Sequence, residues 1–331
     1  MEIKKGFNHI IYIMRHSLLI FTLIFTILSF NFIIFFYKSL DAQCPIAVNP
    51  HQHLKVKEEH FLVILILSSF DNIQRRNVLR NAWLQWCKDI EVKYFFVIAT
   101  KSISQSNKKE IINEQDHFKD LMLLESVEDS YGHLTSKVLQ AFVWLEENVK
   151  YKFTLKCDDD SFVNVQELIK LLKNFEEDPD HLYLGFFSGH ATVQKEGKWK
   201  ESNWILCDYY LPYALGGGYI LSQELTNFIA RNAKDLQLFL SEDVSVGVWL
   251  ASKARVNRVH SPQFNTEFKS RGCSNSYIVS HKHSEVEQKE MYNNLKLTGK
   301  MCKKEFQIRR SYNYNWNVPP TKCCQRTNEI P

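Results

Sequence analysis

Two short acidic stretches have the residue types and spacing to do chemistry. "KCDDDSFVNV" (Lys156–Val165) sets Asp158, Asp159 and Asp160 side by side, at the end of an apolar run and ahead of a helical pattern. Adjacent like charges repel, so either water on an exposed turn or a divalent cation must stabilise them. Successive side chains of an extended strand point to opposite faces, which puts Asp158 and Asp160 together. Two hard carboxylate donors on one face suit Mg²⁺ or Mn²⁺, which would also take phosphate oxygens of a substrate. The alternative is a solvated turn leading into the next helix, where Asn164 and Glu167 have capping-box spacing. An EF-hand is excluded, because Phe162 and Val163 stand where that loop needs an oxygen ligand and a glycine. The second stretch, "SEDVSVGVWL" (Ser241–Leu250), places Glu242 and Asp243 before an apolar helical pattern. Carboxylates there either favour a helix N-terminus capped by Ser241, or supply a base held apart from a metal site.

Other stretches supply candidate partners. "YALGGGYILS" (Tyr213–Ser222) is neither a dinucleotide fingerprint nor a P-loop. Its glycines, Gly217 and Gly218 among them, let backbone approach a ligand closely, or else form a flexible turn. In "RRNVLRNAW", Arg76, Arg80 and Trp83 share one helical face. Those arginines either hold a diphosphate or lie along the core with their heads in water. Lys137 flanks the apolar stripe of Leu134, Val138, Ala141, Phe142 and Leu145, so it needs an anionic partner, for which a diphosphate or the acidic triplet would serve. His281 and His283, in "YIVSHKHS", are both candidates to complete a metal site with imidazole nitrogen.

The elements that must position these residues alternate. "FLVILILSSF" (Phe61–Phe70) is a continuous apolar run of the kind buried on both faces of a parallel sheet. A helical pattern follows, then the strand-like Val92–Thr100, a polar helix, "LMLLES", and an amphipathic helix from about His133 to Val149. "YKFTLKC" leads into the triplet and Val165–Phe175 is helical again. Alternation of this kind predicts an α/β domain with a mainly parallel sheet. In such a sheet ligands bind beyond the carboxyl ends of the strands, where the triplet lies. After about Tyr183 short strands, Gly-rich turns and aromatics are expected to build the acceptor side of the same domain.

The chain has 331 residues, 45% hydrophobic and 13% aromatic, ample for a large core. Its formal charge of +4 comes from intermixed signs, which argues against a nucleic-acid partner. Ser17–Tyr37 is an uncharged run of 21 residues, and crossing a bilayer takes about 20. It is longer and bulkier than the core of a cleaved signal peptide. Lys4, Lys5 and Arg15 precede it, which predicts a cytosolic tail (1–16), a signal-anchor (17–37), a stem (38–59) and a luminal domain (60–331). Among the eight cysteines no C-x-x-C pair occurs. An oxidising compartment predicts disulfides among the late ones, with adjacent Cys323 and Cys324 bonded to different partners. No N-glycosylation sequon is present.

Behind such an anchor, "RRNVLRNAW", "KCDDDSFVNV", "YALGGGYILS" and "SEDVSVGVWL" occur in that order. Together they resemble the beta-1,3-galactosyltransferases of glycosyltransferase family 31. A narrower likeness, to members that extend the proteoglycan linker, rests on "GFFSG", "CDYYLPYALGGGYILS", "SRGCSN" and "PPTKCCQR", and the likeness spans essentially Phe61–Pro331. The resemblance implies a GT-A fold with a DxD-type metal site and an inverting single displacement. It implies Asp160 as a direct Mn²⁺ ligand, Asp158 near the ribose or a metal-bound water, His281 as third ligand and Asp243 as base. It further implies UDP-galactose as donor and galactosyl-beta-1,4-xylose on proteoglycan core proteins as acceptor. The implied place is the Golgi membrane, beside other linker-region glycosyltransferases. His133 stands where relatives often carry the Asn of a sequon.

Three rivals differ in class. One is a related transferase using UDP-N-acetylglucosamine or UDP-N-acetylgalactosamine. Another is a silent luminal carbohydrate-binding or scaffolding protein, which would need no base such as Asp243. A metal-dependent phosphohydrolase would need more clustered His and Asp ligands.

Overall fold

The computed structural model describes residues 25–26, 28–32, 59–87 and 91–327. The chain divides into two compact units, Met1–Val56 and Lys57–Pro331. In the first, the described residues are helical. No helix among the described residues is long and apolar enough to cross a membrane. Most of the expected anchor, all of the tail and the stem up to residue 58 lie outside the described residues.

The second unit is built on a mixed, mainly parallel sheet. Strands β1 (Glu59–Leu67), β2 (Val92–Ala99), β3 (Leu121–Leu124) and β4 (Lys150–Asp158) run parallel to one another. After the two-residue β5 (Phe162–Val163) come β6 (Leu182–Ser188), β7 (Tyr213–Ser222) and β8 (Asn257–His260). Strand β7 lies antiparallel between β4 and β6, while β8 runs parallel to β6. The order is β3-β2-β1-β4-β7-β6-β8, so β4 and β7 meet near the middle. Short strands finish the fold: β9 (Phe264–Asn265), β10 (Gly272–Cys273), β11 (Val279–Ser280) and β12 (Phe306–Gln307).

Helices cover both faces, which is why β1 reads as an unbroken apolar run. Its alternate residues enter two cores: Leu62, Ile64 and Ile66 in one, Val63, Leu65 and Leu67 in the other. The first core takes Leu79 of α1 (Ile73–Arg80), Ile111 of α2 (Gln105–Phe118), Leu168 and Leu172 of α4 (Val165–Lys173) and Met291 of α7 (Glu285–Thr298). The second takes Val138 and Phe142 of α3 (Leu134–Asn148), Leu225 and Ile229 of α5 (Gln223–Arg231) and Val246 of α6 (Glu242–Trp249). Each fully buried Leu, Ile or Val contributes roughly 1.5–3 kcal/mol.

Several expectations are corrected. Helix α1 stops at Arg80, and Trp83 belongs to a separate 3₁₀ turn, Trp83–Cys87. The three glycines are not a turn; they lie inside the ten-residue β7. Cys323 and Cys324 bond to each other rather than to different partners, and Cys273 pairs with Cys302. Ser241 precedes α6 without a side-chain cap hydrogen bond, whereas Asn164 does cap α4 by accepting from the Glu167 amide.

At the far edge of the sheet His260 joins β8 to the C-terminal segment. Its Nδ1 accepts from the Phe187 amide at 3.0 Å, and its Nε2 donates to the Tyr312 carbonyl at 2.8 Å. Those partners select the neutral imidazole. Burial, with Arg271 nearby, pushes its pKa from 6.5 down to about 4. Below about pH 6.5 the unfolded chain therefore binds a proton that the fold refuses, and stability falls as pH drops towards 4 by up to about 1.4 kcal/mol per unit. Urea unfolding across that window is expected to show this slope, and His260→Gln, which cannot titrate, to flatten it while lowering stability overall.

Candidate active site

Strand β4 delivers the acidic triplet at the carboxyl end of the sheet. It ends at Asp158, so Asp158 and Asp160 come together through the turn that follows and not through strand alternation. The Asp159 amide donates to the Leu67 carbonyl at 3.2 Å, tying the turn to the end of β1. The Asp159 carboxylate is buried and accepts from Ser68 Oγ and Asn72 Nδ2, both at 2.8 Å, and from Arg75 Nη1 at 3.1 Å. It is a structural anchor for the β1–α1 connection.

His281 reaches the triplet by way of a small sheet. Strand β11 pairs antiparallel with β5 and parallel with β9, which brings the residue after β11 alongside the turn that holds Asp160. His281 Nε2 lies 3.3 Å from Asp158 Oδ2 and 3.0 Å from Asp160 Oδ1. His283 is held elsewhere, with its ring Nε2 2.8 Å from Ser280 Oγ and its amide donating to the Asp160 carbonyl at 2.9 Å. Of the two histidines, His281 is therefore the one at the cluster.

Asp158, Asp160 and His281 can each offer an atom such that all three lie within 4.8 Å of one another, the one such cluster among the described residues. His281 Nδ1 is buried without a hydrogen-bond partner, and Asp160 Oδ1 is buried against the His281 ring. A buried acceptor left unmatched is costly, and two carboxylates with an imidazole fit a Mn²⁺- or Mg²⁺-like ion. Burial opposes a charged imidazole, yet Asp158 and Asp160 outweigh it and raise His281 to about 9.

Behind the cluster sits Lys156, almost completely buried in β4. Its Nζ contacts Asp158 Oδ1 at 3.0 Å, donates to the Gly216 carbonyl at 2.7 Å, and pairs with Glu242 Oε1 at the start of α6. Burial disfavours the ammonium, but Asp158 and Glu242 hold its pKa above the usual lysine range. In return, Lys156 and His281 overcome burial and keep Asp158 below the usual carboxylate range. Glu242 is buried, receives the Tyr219 hydroxyl at 3.0 Å, and is raised to about 7, chiefly by burial. Asp243 remains half-buried. Its Oδ2 accepts from the Gly216 amide and its Oδ1 from the Val244 amide, each at 2.8 Å, and burial raises its pKa.

The glycines of β7 make this approach possible, though not in the expected way. A Cβ on Gly216 would sit 2.7 Å from Glu242 Oε1, and one on Gly217 would sit 2.5 Å from His281 Nδ1. On Gly218 it would meet Val279 Cγ1 at 2.7 Å. Gly217 and Gly218 thus admit protein side chains to the strand, with ligand contact not required to explain them.

Arg76, Arg80 and Lys137 are also corrected, since each cation already has its anion. Arg76 is fully buried against Glu114 at 2.6 Å, with Nη1 3.3 Å from Ser68 Oγ. Arg80 pairs with Asp120 at 2.8 Å and with Glu114 at 2.7 Å. Lys137 is buried on Asp129 at 2.9 Å and the Ser68 carbonyl at 2.5 Å. None presents a free charge to a diphosphate; Arg76 and Lys137 instead brace Ser68, which holds Asp159. Sequence reasoning missed Lys156, whose signal was a cation set between apolar Leu155 and Cys157, directly ahead of the acidic triplet.

A family profile described as Galactosyltransferase matches residues 74–262. A mouse protein named beta-1,3-galactosyltransferase 6 is 42% identical over 277 residues, 82% of this chain and 84% of its own length. The chain belongs to the galactosyltransferase family. An Arabidopsis thaliana hydroxyproline O-galactosyltransferase, GALT6, is 30% identical over 80% of this chain and 40% of its own. A Pyrobaculum calidifontis mannosyltransferase solved with GDP-Man and Mn²⁺ reaches a TM-score of 0.36 at 9% identity, over 62% of this chain and 55% of that one, too remote to bear on the chemistry. The segment matching the galactosyltransferase profile contains both acidic stretches and stops short of His281.

Lys156→Met keeps most of the side-chain volume and leaves Asp158 and Glu242 without their shared cation. Breaking a buried pair in this way is expected to lower stability by about 3–5 kcal/mol. Denaturant unfolding of the two proteins checks it; a difference under about 1 kcal/mol would show that the bridge is dispensable.

Proposed function

We propose that this galactosyltransferase is an inverting, GT-A-like beta-1,3-galactosyltransferase that moves galactose from UDP-galactose to the 3-hydroxyl of galactosyl-beta-1,4-xylose on a proteoglycan serine. The reading rests on sequence likeness over most of both chains. The observation that carries the mechanism is that buried Lys156 ties Asp158 of the Asp158–Asp160–His281 cluster to Glu242, the residue next to the separate carboxylate Asp243. A Mn²⁺ ion held by that cluster would neutralise charge on the departing UDP diphosphate.

Asp243 fits the base because it is the member of its acidic pair that stays partly exposed. Both Glu242 oxygens already have partners in Lys156 and Tyr219. The Gly216 and Val244 amides fix the Asp243 carboxylate, and its raised pKa strengthens it as a base. In the step, the acceptor O3 bonds to the galactose anomeric carbon as the bond from that carbon to the diphosphate oxygen breaks. The O3 proton passes to Asp243, and UDP leaves with the bonding electrons. Attack from the face opposite UDP inverts the anomeric centre. We place the domain in the Golgi lumen behind the 17–37 anchor, acting on core proteins alongside the other transferases of the linker.

The test offers the full chain Mn²⁺, UDP-galactose, UDP-N-acetylglucosamine and UDP-N-acetylgalactosamine with a set of acceptors. Galactose transfer to galactosyl-xylose is expected; transfer of either N-acetylhexosamine in its place would overturn the reading. Asp243→Asn is expected to lower kcat about 10²–10⁴-fold with little change in donor KM. Asp160→Ala is expected to remove both transfer and the stabilisation that Mn²⁺ confers in thermal unfolding.

A further inference from the structure

Three exposed aromatic rings gather beside the catalytic residues, and the mechanism above uses none of them. Tyr131 lies just ahead of α3, Trp199 in the loop between β6 and β7, and Phe268 after β9. Their relative exposures are 36%, 38% and 63%, and exposed apolar groups that cluster mark interaction sites where single ones do not. They are nevertheless organised. Trp199 and Phe268 meet edge-to-face with centroids 5.2 Å apart, and Trp199 is near enough to the Tyr131 phenol to lower its pKa against burial.

Their supports converge on the segment that carries the base. Thr135, in the first turn of α3, donates to the Phe239 carbonyl at 2.6 Å. Glu201, two residues after Trp199, accepts from the Leu240 amide at 2.6 Å and donates its own amide to the Gln194 carbonyl at 2.8 Å. Residues 239 and 240 lead directly into Glu242 and Asp243. On the opposite side, Lys282 follows His281, donates to the Phe268 carbonyl at 2.7 Å and lies 3.4 Å from the Phe268 ring centroid. The three rings therefore span from the approach to Asp243 to the residue beside the cation cluster. The field of Asp243 is felt at the Tyr131 phenol, which burial and that charge together raise to about 12.

We propose that Tyr131, Trp199 and Phe268 form a platform for the acceptor sugars, with Trp199 the residue that sets acceptor affinity. The assignment rests on Asp243 being the base. A pyranose presents one face made of C–H bonds, and such a face packs on an aromatic ring without loss of its hydroxyls to water. A sugar seated on the platform would turn a hydroxyl towards Asp243, and the next sugar would extend over the remaining rings. The acceptor class is thus a neutral saccharide of at least two units, recognised by stacking. Lys198, with Nζ 4.5 Å from the Tyr131 centroid, and Lys282 cover ring faces that a sugar would take over.

The experiment compares the full chain with Trp199→Ala and Trp199→Phe, using a galactosyl-xyloside and a simple methyl galactoside as acceptors. In Trp199→Ala the disaccharide KM is expected to rise about tenfold or more, while the UDP-galactose KM moves less than about threefold. The advantage of disaccharide over monosaccharide should shrink by the same factor, and Trp199→Phe should restore most of it. An unchanged acceptor KM, a parallel rise in donor KM, or equal losses for both acceptors would overturn the platform. Failure of the unaltered chain to glycosylate any galactoside would instead overturn the function it rests on.

Discussion

A single ammonium group, that of Lys156, holds the end of β4 to the start of α6. Buried charge is tolerated only when it is matched, and here it is matched twice, by Asp158 on one side and Glu242 on the other. The Gly216 carbonyl takes a further donor position. Two acidic stretches more than eighty residues apart thus sit within one electrostatic unit, joined through the lysine. Strand order makes this possible: β7 lies next to β4, and α6 packs on β7. The antiparallel strand brings its glycines directly against the end of β4, so that carboxylate, ammonium and imidazole approach a backbone with no Cβ in the way.

Around this unit lies a second ring of matched charge. Arg76 and Arg80 share Glu114, Arg80 also holds Asp120, and Lys137 holds Asp129. Arg76 and Lys137 meet at Ser68, whose hydroxyl donates to Asp159. The loop between β1 and α1 is consequently fixed from beneath by cations that never reach the surface. A loop at the carboxyl end of a parallel sheet is where a nucleotide is expected to bind, and rigid support positions such a site better than flexible charge does.

The α/β order was legible because strands buried on both faces are continuous apolar runs, as in Leu62–Leu67. The candidate site was legible where charge sits at the end of such a run, as with Asp158 and Asp160, or just before a helix, as with Asp243. Spacing put Arg76 and Arg80 correctly on one helical face but could not say what lies opposite, since Glu114 is 38 residues from Arg76 and Asp120 is 40 from Arg80. Local pattern could not separate His281 from His283 either; the pairing of β5 with β11, more than a hundred residues apart, does. The glycines carried a true message of close approach, but what approaches is His281 and Glu242, residues that only the folded sheet brings near. Cys323 and Cys324 reversed the expectation because the choice of bonding partner depends on which sulfurs the fold places in reach.

Both acidic stretches resolve the repulsion between neighbours by the same division of labour. In the triplet, Asp159 turns inward to Ser68, Asn72 and Arg75, which frees Asp158 and Asp160 to face His281. In the pair, Glu242 turns inward to Lys156 and Tyr219, which leaves Asp243 partly exposed on two backbone amides. Each inward carboxylate is bonded to the framework and sets the orientation of the carboxylate beside it. Asn at 159 could accept from Ser68 and Asn72 through its one oxygen but would turn a donating NH2 to Arg75 in place of a charge, and Gln at 242 would leave Lys156 with one anion in place of two. Adjacent acids are thus unequal in setting, and burial with a named partner is what distinguishes the structural member from the one left open to solvent or an ion.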